Sequence, residues 1–90
     1  MDDPPTRIGD AEVVLFATIE DRPGDSADGV RDEVAGLAIC QYDGEESFYL
    51  FACDAVWDSI GDSWHETLDE AKKQAEFERP GLPLTWRARP

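Results

Sequence analysis

The dipeptide Asp43-Gly44 constrains this chain more than any other feature of it. Asp-Gly between two alternating apolar runs is the strongest short-range β-hairpin signal, because Gly takes a positive φ without steric cost and Asp tolerates one. The runs are residues 33–42 and 45–54. If Asp43-Gly44 is a two-residue loop, Cys40 faces Ser47, Ala38 faces Tyr49, Gly36 faces Phe51 and Val34 faces Cys53. Side chains alternate across a strand. One face then sets the small Gly36 and Ala38 against Phe51 and Tyr49, where a ring covers exposed backbone. The other face carries Leu37, Ile39, Phe48, Leu50 and Ala52, and is the expected seat of a helix. The same register separates Cys40 and Cys53 by three pairs, beyond the roughly 7 Å between Cα atoms that a bridge can span. Two buried free thiols are expected.

A helix is predicted over 67–79. Thr67 and Glu70 have capping-box spacing, so the Thr hydroxyl can accept from one free backbone N–H and the Glu carboxylate from another. Asp69 and Glu70 suit the positive end of the helix dipole and Arg79 the negative end, and Pro80-Gly81 stops the helix. At about 100° per residue, Leu68, Ala71 and Ala75 share a face, and Phe77 falls opposite Leu68, at the rim or exposed.

Residues 11–20 alternate as a strand, with Val13, Leu15, Ala17 and Ile19 on one face and Val14, Phe16, Thr18 and Glu20 on the other. Residues 21–32 read as a polar loop broken by Pro and Gly. Residues 54–66 are ambiguous: Val56 and Trp57 could end a strand, and Gly61 is expected in a turn. Leu82, Leu84 and Trp86 recur at period 2, as in a fourth strand or a docking arm. Trp57, Trp64 and Trp86 could form one cluster that pins this arm. The expected organisation is a flexible lead-in at 1–10, a single α+β domain at 11–86 and a basic tail at 87–90. Its sheet should be antiparallel, of three to four strands, with the one C-terminal helix on one face.

Charge limits the partners. The chain of 90 residues carries a net −13. Residues 1–70 hold nineteen acids and three bases, a net −16, and residues 71–90 hold two acids and five bases, a net +3. Nucleic acids and anionic membranes need a basic footprint and are disfavoured, whereas a basic protein is a suitable partner. Acidity can also be a habit of a whole proteome, and Lys is confined here to Lys72 and Lys73. No apolar run approaches the roughly 18 residues of a membrane span. The start, Met1-Asp2-Asp3-Pro4-Pro5, lacks the positive and apolar regions of a secretory signal, so the expected compartment is the cytoplasm.

Chemistry has few candidates. Asp54, Asp58, Asp62 and His65, with Glu66 beside them, could hold a divalent metal or form an acid–base pair. Their spacing fits no EF-hand, and one His is fewer than a catalytic zinc site usually has. Cys53 and His65 could pair as nucleophile and base, without a visible orienting group. There is no Gly-rich phosphate loop, nucleophile elbow or zinc ribbon. No cofactor is expected, and an enzyme is not the favoured reading.

From Phe48 onward the chain resembles an uncharacterised family of small acidic bacterial proteins. The resemblance lies in the aromatic strand Phe48-Tyr49-Leu50-Phe51 ending in Cys53-Asp54, then Trp57, His65 and the helix text from Leu68 to Glu76. It covers under half the chain. It implies a bacterial source and a strand–strand–helix arrangement, and carries no activity with it.

Three functions remain open. The first is a non-catalytic binding or regulatory protein that contacts a basic protein, as an immunity protein or inhibitor would. Its candidate anchors are Tyr49, Phe51, Trp57, Trp64, Phe77 and Trp86. The second is a homo-oligomeric accessory protein, for instance a homodimer, without a separate ligand. The third is a metal-dependent hydrolase built on Asp54, Asp58, Asp62 and His65.

Overall fold

Alternating apolar runs punctuated by Gly and Asp give this chain a meander over its first five strands, each antiparallel to and paired with the next. The computed structural model describes residues 3–19, 34–78 and 84–88. Their elements are β1 (Arg7–Ile8), β2 (Ala11–Thr18), β3 (Gly36–Tyr42), β4 (Phe48–Cys53), β5 (Ser59–His65), α1 (Leu68–Glu78) and β6 (Arg87–Ala88). The sheet order is β1-β2-β3-β4-β5, and β6 pairs with β2. The α+β class with one C-terminal helix is as expected, but the sheet has six strands rather than three to four. The expected loop at 21–32, Arg79, the Pro80-Gly81 stop and Leu82 lie outside the described residues. Among the described residues, no helix is long and apolar enough to cross a membrane.

The extra strands have local causes. Gly9-Asp10 closes a two-residue loop with Ile8 paired to Ala11, and Gly9 has φ +61°. Gly at the first central position with a positive φ is the type II′ signature. The supposed lead-in thus supplies β1, and Ile8 and Pro4 are buried. Gly61, expected in a turn, instead pairs with Ala52 inside β5. Arg87, expected in a tail, pairs with Phe16 in β6.

The central hairpin keeps its faces but shifts its register by two. Ala38 pairs with Phe51, Cys40 with Tyr49 and Gly36 with Cys53. The loop is wider than two residues, because the pair nearest the turn is Cys40–Tyr49 and the register does not set Tyr42 opposite Glu45. Within the loop the Glu45 N–H donates to the Tyr42 carbonyl, and Gly44 has φ +81°. A tight type I′ loop needs a positive φ at both central residues, and Asp43 does not adopt one. A shift of two preserves side-chain parity, so no residue changes face.

Parity does change in β2. A bulge at Val14 separates the pair Val13–Cys40 from the pair Leu15–Ile39. Val13 therefore shares a face with Phe16 rather than with Leu15 and Ala17. One extra residue in a strand has this effect.

The helix covers the aliphatic face. Ala71 and Ala75 are fully buried against Leu37, Ile39 and Leu50, with Leu68, Phe48 and Ala52 packed beside them. Small residues on α1 permit this close approach. Thr67 caps the helix: its Oγ1 accepts from the Glu70 N–H at 3.1 Å, and Glu70 Oε1 accepts from the Glu66 N–H at 3.3 Å. Leu84 and Trp86 extend this cluster.

The opposite face holds Ile8, Ala11, Val13, Phe16, Ala38, Cys40, Phe51, Cys53 and Trp57, with Tyr42 and Tyr49 half-buried at its margin. Arg87 lies over the Phe16 ring, 5.4 Å from its centre. Tyr42 meets Tyr49 edge-on at 5.1 Å, and Tyr49 stacks on Phe51 at 6.3 Å.

Candidate binding surface

The polar cluster expected for chemistry is not assembled. Asp54 organises the β4–β5 connection: its Oδ1 accepts from the Val56 and Asp58 N–H groups, each at 3.0 Å. Its backbone N–H donates to the Asp58 carbonyl, and its carbonyl accepts from the Trp57 N–H. Such bonds are how Asp nucleates a turn. Asp62 is paired with Phe51 and His65 with Phe48, so alternation sets them on opposite faces of the sheet. His65 Nε2 shares a 2.7 Å hydrogen bond with the Ser63 hydroxyl. Among the described residues, no three His, Cys, Asp or Glu side chains are placed to hold a metal ion.

The thiols are not poised as nucleophiles. Cys40 and Cys53 are free and fully buried. Burial pushes both thiols up to about 12, and the Asp54 and Asp58 charges add to the effect at Cys53. A nucleophilic Cys needs the reverse shift. Cys53 also belongs to the Phe16 face, whereas His65 alternates onto the helix face.

The six aromatic candidates separate by exposure. Phe51 and Trp57 are buried in the core. Trp86 is half-buried against the aliphatic cluster, on the side of the sheet away from Trp57. The three tryptophans therefore form no single cluster. Tyr49 is half-buried, Trp64 is 53% exposed and Phe77 is 80% exposed.

Trp64 belongs to a largely exposed strand of the sheet. Among the described residues β5 has one neighbour, β4, and Ser59 to Asp62 are all exposed. Trp64 pairs with Tyr49, and Asp62 pairs with Phe51, so both stand on the aromatic face. Val56 and Ile60 are also exposed nearby in the chain. Along the sequence, Asp43 to Ala71 holds nine carboxylates and no Lys or Arg, and β5 with its immediate flanks supplies Asp58, Asp62 and Glu66 of these. Arg7 and Arg87 sit in β1 and β6, beyond β2 at the other side of the sheet, whereas Lys72 and Lys73 lie on α1, which packs against β4 and β5. Arg7 is bonded to the Asp43 carboxylate at 3.1 Å in an exposed pair, which adds little stability. Sequence reading missed β5 because Gly61, Asp62 and Ser63 resemble a turn. Its signal was the period-2 placement of Asp62 and Trp64.

No protein-family model, curated protein or solved structure matches the chain.

Proposed function

We propose that this protein is a small non-catalytic binding or regulatory protein whose partner is a basic protein, in the manner of an inhibitor or immunity protein. The observation that carries this reading is the unbroken acidic run from Asp43 to Ala71, which includes the β5 edge and its exposed Trp64. An acidic surface speeds encounter with a basic partner and rejects acidic ones. A partly exposed Trp with a polar rim is the usual kind of anchor at such an interface. Asp54 is engaged in its own loop, and the two thiols are buried and protonated, so these groups serve the fold.

The test is titration of the full chain against small basic proteins, with acidic proteins of equal size as controls. Binding should be confined to the basic set and should weaken by roughly tenfold or more as ionic strength rises from about 0.01 to 0.15 M. Affinity that ignores salt, or that is equal for acidic proteins, refutes the reading.

Phe77 favours a second reading. It is 80% exposed on the outer side of α1, and a homo-oligomer would cover it. Light scattering that finds only monomer at high protein concentration removes this alternative.

A further inference from the structure

We propose that the edge of β5, unpaired among the described residues, receives an extended basic segment of another protein as an added strand, with Asp62 and Trp64 taking successive Arg or Lys side chains. This rests on the basic-partner reading above and gives it a site and a binding mode.

Three observations support it. First, β5 is a seven-residue strand whose only neighbour among the described residues is β4. An edge strand presents unpaired N–H and C=O groups, and proteins usually protect it with Lys, Pro or a bulge. Here Ser59–His65 contains no Lys and no Pro, and its one irregularity, at Ile60, lies near one end. Second, Asp62 and Trp64 stand two residues apart on one face. Their spacing of about 7 Å along the strand equals the spacing of alternate side chains in an added strand. A cation at one position would meet the carboxylate, and a cation two residues on would meet the indole. Third, charge selects the occupant. β5 and its immediate flanks carry Asp58, Asp62 and Glu66 and no Lys or Arg, so two copies joined edge to edge would bring like charges together, whereas a basic segment is attracted.

The probe is a synthetic ten-residue peptide of alternating Arg and Thr, titrated into the full chain at low salt. Amide hydrogen exchange is read on β5 with and without it. The variants are Asp62→Lys on the edge and Asp10→Lys in the exposed β1–β2 turn, which change net charge equally. Trp64→Ser is a further edge variant, and each is checked for the native amide spectrum. The expected result is added protection of β5 amides and about tenfold weaker binding for D62K. D10K should weaken binding clearly less than D62K does, because Asp10 lies across the sheet from β5 and Coulomb attraction falls with distance. W64S should also weaken binding. Equal weakening by D62K and D10K, or binding without added protection in β5, overturns the edge site and leaves the basic-partner reading intact. If neither the peptide nor any basic protein binds at low salt, both fall.

Discussion

The Trp57 ring meets the Phe16 ring edge-on, with centroids 6.0 Å apart and planes at 88°. Phe16 lies in β2 and Trp57 in the connection between β4 and β5. Between their strands Ala38 is paired with Phe16 on one side and Phe51 on the other. A small side chain in β3 leaves room for aromatic packing over the middle of the sheet. Trp57 adopts φ +65°, a conformation that costs energy for a bulky residue, and it is nonetheless buried. Packing against Phe16 and the rest of the cluster outweighs that strain.

Replacing Trp57 with Ala should therefore remove much of the protein's stability. The expected loss is about 3–5 kcal/mol, the range for truncating a buried aromatic, although some backbone strain persists. Urea denaturation followed by far-UV circular dichroism measures it. A loss under about 1 kcal/mol would mean that the indole does not seal this face.

Asp54 holds the loop that delivers Trp57. Asp54→Ala deletes the acceptor of two N–H groups, so a loss of about 1–3 kcal/mol is expected. Asp54→Asn retains a side-chain oxygen and should recover most of it. Equal destabilisation by the two variants would assign the effect to the carboxylate charge rather than to the acceptor.

The parts legible in the sequence are those where one strong local signal met a clear period. The Asp43-Gly44 hairpin, the Thr67 cap and the Leu68-Ala71-Ala75 face all have this character, and they place the helix on the aliphatic side. The hairpin register was legible only to its parity, because loop width depends on whether Asp43 adopts a positive φ. Gly9-Asp10 carried a readable turn signal among residues that otherwise suggested a frayed end. The β5 strand was hidden because Gly61, Asp62 and Ser63 have low strand propensity, and pairing with β4 overrides it. The Val14 bulge left no local trace, and it decides which side chains of β2 join Phe16. The dispersal of Asp54, Asp62 and His65 follows from β5, so it was illegible for the same reason.

Gly44 offers a clean measure of turn strain. Its φ is +81°, and a Cβ built there meets nothing within 4 Å. Gly44→Ala should cost about 1 kcal/mol, entirely conformational, with no change in the amide spectrum beyond the turn. Thermal unfolding of the two proteins under one buffer condition reads the difference. A cost near zero would show that the turn relaxes to another geometry.

The buried thiols should govern stability at alkaline pH. Cys40 and Cys53 are raised from 9.0 to about 12 in the folded chain, chiefly by desolvation. A raised pKa means that the fold favours the neutral thiol. Their contribution is therefore complete below about pH 9 and is lost as pH climbs toward 12, where the unfolded chain releases protons that the folded chain retains. The slope should be about 1.4 kcal/mol per pH unit for each thiol across that window. The measurement is urea denaturation at a series of pH values, with Cys40→Ala as reference. That variant loses packing at every pH but should show a shallower alkaline fall. A parallel fall in the two proteins would mean that Cys40 ionises alike in the folded and unfolded states. Thiol-reactive reagents at pH 8 give an independent check, since native protein should react only as fast as it unfolds and guanidinium-unfolded protein at once.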